Sequence, residues 1–166
     1  ATGTWGTPLH PFSGGQDIVV LALDAAGAYR WHTFYGAAGG NSEGRGVAVD
    51  DDGYVFVSGT SSVPWGTPLH AHAYSGITDF AVLKLDDAGT YQWHTFYGSE
   101  SHDYGLGIAV DRSGNIHVTG GSVVPWGTPV NPHGGGTGYA DIVVLKLAGD
   151  PGPDPFTFTD VTGAPF

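Results

Sequence analysis

Residues 107–120 read Gly-Ile-Ala-Val-Asp-Arg-Ser-Gly-Asn-Ile-His-Val-Thr-Gly, two short apolar runs separated by a turn-forming segment. Val, Ile and Thr favour strands, and a glycine late in the turn supplies the positive φ that tight hairpins need. The stretch therefore predicts a β-hairpin, with Gly114 at the positive-φ position. An equivalent hairpin is expected at residues 46–59, where Gly53 ends the matching turn.

This hairpin belongs to a repeat of about sixty residues. A Trp-Gly-Thr-Pro motif begins at Trp5, Trp65 and Trp126, so its copies are 60 and 61 residues apart. Three further blocks recur in the same order: 17–23 as 79–85 and 141–147, 29–36 as 91–98, and 46–50 as 107–111. The segment between the tryptophan and the block that follows it varies in length, as expected of a loop.

Each repeat predicts four strands. Residues 80–85 are almost continuously apolar, which is typical of a strand covered on both faces. In residues 54–57 two valines alternate with Tyr54 and Phe56, which predicts one inward face and leaves the aromatic face exposed. Four antiparallel strands per unit, packed face to face, predict all-β propeller blades, with a solenoid of stacked β-units as the alternative.

The blocks amount to about two and a half repeats, too few to close a propeller alone. We expect residues 1–148 to form the repeats, with a partial blade at 1–44, a full blade at 45–98 and a partial blade at 106–148. Residues 149–155 are predicted to be a Pro/Gly linker. Residues 156–166 are predicted to begin a following β module or to form a swapped strand.

The sequence at 107–120, together with residues 141–147 and 93–98, resembles the bacterial seven-bladed β-propeller (SBBP) repeat. The resemblance extends over most of residues 1–150, although the long Pro-Trp-Gly-Thr-Pro loop departs from it. It implies a propeller within a large secreted or surface protein of bacteria. Residues 156–163 resemble the opening strand of an immunoglobulin-like extracellular module.

The composition of the chain disfavours several classes of binding partner. Five Lys and Arg against 16 Asp and Glu give a net charge of −11, which disfavours nucleic acid and anionic membrane surfaces. No stretch approaches the roughly 20 apolar residues needed to span a bilayer, so membrane insertion is not expected. Cysteine is absent, which excludes disulfides and cysteine-based zinc sites within this sequence.

The best candidates for ligand binding are Trp5, Trp65 and Trp126, each in a proline-bounded loop between the second and third strands. An aromatic ring held in a rigid loop can stack on a sugar, and repetition would make such binding multivalent. The competing interpretation, which we favour, is that each tryptophan anchors its long loop to its own blade.

No metal site, cofactor or catalytic group is predicted. His70 and His72 would project to one side of an extended loop, but the other repeats do not keep both histidines. Asp50 and Asp52 resemble part of a calcium loop; we favour a hairpin turn there, with weak, low-affinity calcium binding as the alternative. His32 recurs as His94, which indicates a packing or hydrogen-bonding role rather than catalysis, so we expect no enzyme.

We therefore expect a noncatalytic structural or protein-interaction module of a secreted or cell-surface bacterial protein. Its open sheet edges and apolar faces predict further blades as partners, in cis or from copies in trans, and possible assembly into a fibre or multi-chain particle. A lectin-like propeller that binds glycans through the Trp-Gly-Thr-Pro loops is the alternative.

Overall fold

The computed structural model describes residues 1–74, 76–134 and 140–149. These ranges contain nine β-strands and no helix, which confirms the predicted all-β class. The strands are β1 (Ile18–Leu23), β2 (Tyr29–Tyr35), β3 (Ser42–Val49), β4 (Val55–Ser61), β5 (Asp79–Leu85), β6 (Tyr91–Tyr97), β7 (Asp103–Val110), β8 (Ile116–Ser122) and β9 (Asp141–Leu147). In these ranges there is accordingly no helix that could cross a membrane.

The strands form three antiparallel sheets whose order follows the sequence: β1-β2, then β3-β4-β5-β6, then β7-β8-β9. We call them the first, middle and last sheets. The middle sheet is a complete four-stranded blade. The first sheet supplies the third and fourth strands of a blade, and the last sheet supplies the first three. The architecture is that of incomplete propeller repeats, as the repeated blocks predict.

The hairpin turns share one design. Each begins with an aspartate whose Oδ1 accepts hydrogen bonds of 2.8–3.1 Å from the backbone N–H groups two and four residues later. The fourth residue of each turn is a glycine with a φ between 78° and 86°. These turns begin at Asp24, Asp50, Asp86 and Asp111. The positive φ expected of Gly53 and Gly114 is therefore confirmed.

A β-bulge recurs near the start of the first strand of the middle sheet and of the last sheet. The register of β3 against β4 shifts between Gly44 and Gly46, and that of β7 against β8 shifts between Gly105 and Gly107. Opposite the first bulge, Gly59 lies so close to the carbonyl oxygen of Glu43 that a Cβ would overlap it. This close approach of two backbones, rather than an unusual φ, is why position 59 needs glycine.

The core lies between the sheets, with β5 at its centre. All seven residues of β5 are buried. Ala81, Leu83 and Leu85 pack towards the first sheet, whereas Phe80 and Val82 pack towards the last sheet. The prediction of a strand covered on both faces is confirmed, because each face of this blade lies against another sheet.

The prediction of one exposed face for the second strand is wrong. In β4, Val57 packs towards the first sheet, but Phe56 is also fully buried and packs with Trp93 and Ile116 towards the last sheet. Alternation of valine with aromatic residues therefore marks two different apolar faces here, and neither faces water.

The outward faces of the two incomplete sheets remain uncovered. Val19, Leu21 and Leu23 of β1 are exposed, as are Ile142 and Val144 of β9. The predicted linker beyond Gly149 and the predicted module at 156–166 lie outside the described residues.

Candidate interaction site

The loop between β4 and β5 is fixed by contacts among three aromatic rings. The indole of Trp65 lies on the imidazole of His94 with 3.7 Å between centroids and an interplanar angle of 12°. Tyr35, from the first sheet, packs against the Trp65 ring with 5.8 Å between centroids and an interplanar angle of 35°. Trp65 is only 7% exposed as a result. Its ring therefore joins two sheets and has little surface left for a ligand.

Hydrogen bonds determine the protonation of His94. Its Nε2–H donates to the carbonyl oxygen of Trp65 at 2.7 Å, and its Nδ1 accepts from the Tyr91 hydroxyl at 2.8 Å. A carbonyl can only accept, so the proton sits on Nε2. Burial lowers the pKa of His94 to about 4, which keeps the ring neutral. The structural role predicted for the recurring histidine is confirmed.

The first repeat has the same tryptophan–histidine stack, but no tyrosine from a preceding sheet packs against the tryptophan. Trp5 lies on His32 at 3.7 Å between centroids, and His32 Nε2–H donates to the Trp5 carbonyl at 2.8 Å. Within the described residues no sheet precedes the first one, and Trp5 is 46% exposed. Trp5, Tyr29, Arg30 and Trp31 contribute to an open groove of about 520 Å³.

In the last repeat the tryptophan has a neighbouring sheet but no histidine stacked on it. Trp126 packs against Phe80 and Tyr97 of the middle sheet, with centroid distances of 5.9 and 6.2 Å. Its Nε1–H donates to Asp103 at 3.0 Å, which fixes the ring in place. The last sheet has no fourth strand within the described residues, so no histidine equivalent to His94 stacks on Trp126.

The two histidines considered as metal ligands hydrogen bond to backbone carbonyl groups. His70 Nδ1 hydrogen bonds to the carbonyl oxygen of Phe96 at 2.8 Å, and His72 Nε2 hydrogen bonds to that of Ser61 at 2.8 Å. Asp50 holds its hairpin turn, and Asp52 donates its backbone N–H to Asp50. Among the described residues no group of three or more His, Asp or Glu side chains could hold a metal ion.

An acidic anchor was not singled out from the sequence. Asp79 is fully buried beside His72, with 3.6 Å between Oδ2 and Nδ1, and it accepts the backbone N–H of Ala73 at 2.6 Å. Burial raises the pKa of this carboxyl group. Ser13 and Gly134 donate in the same way to Asp17 and Asp141. The recurrence of aspartate at the head of each repeated block was the available signal, since it closes each tryptophan loop.

The open sheet faces match, position by position, faces that are buried inside the molecule. A shift of 62 residues relates Ile142 and Val144 of β9 to Phe80 and Val82, both fully buried against the last sheet. Ile142 is 87% exposed and Val144 is 66% exposed. The same shift relates the exposed residues of β1 to a buried face of β5: Val19, Leu21 and Leu23 correspond to Ala81, Leu83 and Leu85.

The first sheet lacks the first two strands of a blade among the described residues, and this leaves side chains of β3 exposed. Val47 and Val49 of β3 are exposed, whereas the equivalent Ile108 and Val110 of β7 are partly buried against the core of the middle and last sheets. A side chain that faces a complete sheet is covered, and its counterpart facing an incomplete sheet is not. The sheets thus define an all-β architecture of incomplete propeller blades, in which the described residues leave one face of the first sheet and one face of the last sheet uncovered.

Comparison with known protein families agrees with this architecture. The SBBP beta-propeller repeat matches residues 30–64 and 92–122. Each matched segment runs from the fourth strand of one sheet through the first two strands of the next sheet. The two matched segments begin 62 residues apart. No curated protein matches the chain.

Proposed function

We propose that this chain is a noncatalytic interaction module that binds further propeller blades through its two open faces. One observation carries the proposal: residues buried between sheets inside the molecule have exposed counterparts at both ends. Contiguous exposed apolar side chains on a sheet face are typical of an interaction surface. Other copies of the chain, or blades from flanking sequence, have the matching shape.

A noncatalytic role is supported by the use already made of the polar side chains. The recurring histidines His32 and His94 are consumed in stacking and hydrogen bonding. The turn aspartates hold backbone N–H groups, which leaves them occupied as structural acceptors. The resemblance to SBBP repeats supports a place within a secreted or cell-surface bacterial protein. The exposed apolar faces of β1 and β9 support assembly into a fibre or multi-chain particle.

Association in trans would be directional. The β9 face of one copy corresponds to the side of a blade that meets the next blade, and the β1 face corresponds to the side that meets the previous one. The expected contact therefore joins unlike faces, head to tail, and can continue to a further copy.

Sedimentation velocity across a concentration series tests this proposal. Wild-type protein is expected to associate, and association should weaken with either Val19→Asp/Leu21→Asp or Ile142→Asp/Val144→Asp. Leu69→Asp is the matched control, because Leu69 is an exposed apolar loop residue on neither face. A mixture of the two double variants should form dimers and nothing larger, since only one pair of unlike faces remains. A wild-type monomer at every concentration would contradict binding between copies.

Carbohydrate binding through the loops is the second candidate, and only the first repeat favours it. Trp5 exposes a ring in an open groove, whereas Trp65 is enclosed by Tyr35 and His94. Binding to a glycan array that is lost in Trp5→Ala and kept in Leu69→Asp would support this role. Absence of glycan binding, or binding indifferent to Trp5, would count against it.

A further inference from the structure

We propose that the edge of β9 that has no partner among the described residues, together with Trp126, binds an extended segment with the sequence pattern Tyr-x-Trp-His-Thr-Phe-Tyr. This pattern is that of the fourth strand in the other two sheets, at residues 29–35 and 91–97. The inference rests on the proposed function, because it names the partner of one open side of the last sheet. Binding would occur by addition of a strand to an exposed sheet edge.

The first and middle sheets show how such a strand docks. In the middle sheet, β6 pairs with β5 so that Phe80 faces Tyr97 and Leu83 faces His94. In the first sheet, β2 pairs with β1 in the same register, with Ile18 facing Tyr35 and Leu21 facing His32. Both pairs of strands also shift register near the end of β1 or β5, the third strand of each blade. Two separate pairs therefore share one docking geometry.

In the described residues β9 pairs with β8 along one edge and has no partner along the other. An unpaired strand edge presents free N–H and C=O groups to another segment. The register of the other two sheets would set an incoming histidine opposite Leu145 and an incoming final tyrosine opposite Ile142. The backbone ladder would thus be continued by a fourth strand, as in the middle sheet.

Trp126 is the second part of the proposed binding site, beside the β9 edge. Tyr97 lies along its ring at an interplanar angle of 21°, in the place that Tyr35 takes on Trp65. The hydrogen bond to Asp103 holds the indole before any fourth strand is present. The place that His94 takes on Trp65 has no equivalent ring among the described residues. A histidine from the incoming strand would complete the stack.

The chain's own continuation matches the pattern only at Thr157 and Phe158 and lacks its tyrosines, tryptophan and histidine. A shift of 62 residues from β6 points to residues 153–159, which read Pro-Asp-Pro-Phe-Thr-Phe-Thr. Proline stands where the pattern has its first tyrosine and its tryptophan, and phenylalanine stands where it has histidine. Proline has no N–H to donate to a ladder, so these residues are a poor fourth strand. The occupant we infer is a segment from outside residues 1–166 that keeps the Trp-His pair.

The test uses the full chain and a synthetic, end-blocked peptide with the sequence of residues 90–98. Isothermal titration should show one peptide bound per chain, and amide shifts in NMR spectra should concentrate in β9 and β8. Trp126→Ala, or a peptide with alanine in place of its histidine, should weaken binding about tenfold. Trp5→Ala is the matched protein control and should leave the affinity unchanged, because the first sheet already has its fourth strand.

Other occupants give different results. If residues 153–159 fill the edge, the peptide will bind only after Phe156→Asp/Phe158→Asp, which would overturn the proposal. Binding that is indifferent to Trp126, or absent from every variant, would overturn it as well. The double variant Val19→Asp/Leu21→Asp separates this inference from the proposed function. That variant should lose association between copies and still bind the peptide with wild-type affinity.

Discussion

The imidazole of His94 touches Trp65 twice, through ring stacking at 3.7 Å between centroids and through a 2.7 Å hydrogen bond to the tryptophan's own carbonyl oxygen. His32 and Trp5 repeat both contacts. A single histidine in the fourth strand therefore secures both the ring and the backbone of the long loop. The loop is held as part of the blade, and the tryptophan motif serves first to hold the blade together.

Removal of the tryptophan ring should cost more in the middle repeat than in the first. Trp65→Ala is expected to lower the free energy of unfolding by about 3–5 kcal/mol, since it empties a buried site between two sheets. Trp5→Ala should cost clearly less, because Trp5 is already 46% exposed. Urea unfolding followed by circular dichroism measures both values. Equal losses would contradict the account of Trp65 as the ring that joins the sheets.

Stability should decline in mild acid because of His94. Its pKa is lowered to about 4 in the folded chain, against an ordinary value of 6.5. Between these values the unfolded chain binds more protons, so the free energy of unfolding falls as the pH falls from 6.5 towards 4. The contribution of this one group is at most about 1.4 kcal/mol per pH unit, and it is fully present above the higher value.

The measurement is urea unfolding at several pH values between about 7 and 4.5. His94→Gln is the matched variant, because its amide can still donate to the Trp65 carbonyl but does not titrate. Its stability should depend less steeply on pH than that of the wild type. An unchanged slope would mean that another group is responsible.

Glycine 59 should tolerate no side chain. Gly59→Ala brings a methyl group against the carbonyl oxygen of Glu43 at the bulge. Separating the two strands to relieve that overlap should cost at least about 2 kcal/mol. Gly3→Ala is the control, since a Cβ there meets no atom within 4 Å. Thermal unfolding of the two variants compares them, and a stable Gly59→Ala would show that β3 can move away.

The hairpin aspartates should stabilise turns without calcium. Asp50→Ala removes the acceptor of the N–H groups of Asp52 and Tyr54 and should cost about 1 kcal/mol. Asp50→Asn keeps an acceptor and should retain most of the stability. Millimolar calcium should leave the wild-type melting temperature unchanged within about 1 °C. A rise that Asp50→Ala abolishes would instead establish a calcium site there.

The sequence predicted the elements that depend on local pattern and on the repeat. The continuous apolar run at Phe80 to Leu85 indicated a strand covered on both faces, and the turn glycines Gly53 and Gly114 indicated their hairpins. Both follow from residue chemistry within a few positions. The aligned blocks also indicated three of the four strands in each repeat, and the hairpin turn indicated the fourth. The tryptophan block corresponds to a loop.

What the sequence could not supply is the identity of the neighbour on each side. Phe56 was expected on an exposed face because alternation normally marks one wet face, but in this blade a second sheet covers it. The aspartate at position 79 recurs in each repeat, but its burial was not predicted because aspartate is usually exposed. The three tryptophans carry the same motif and yet differ in exposure. Among the described residues only Trp65 has both a preceding sheet and a fourth strand in its own sheet.

The double coverage of β5 bears on how this molecule comes apart. A strand enclosed by two sheets cannot open until one of them has moved aside, whereas β1 and β9 have water on one side already. Amide protons of the central strand should therefore exchange with solvent most slowly, and fraying should proceed inward from both ends. Each added blade would cover the exposed face of an end sheet. Because each blade is stabilised by its nearest neighbours, resistance to unfolding should increase with the number of blades.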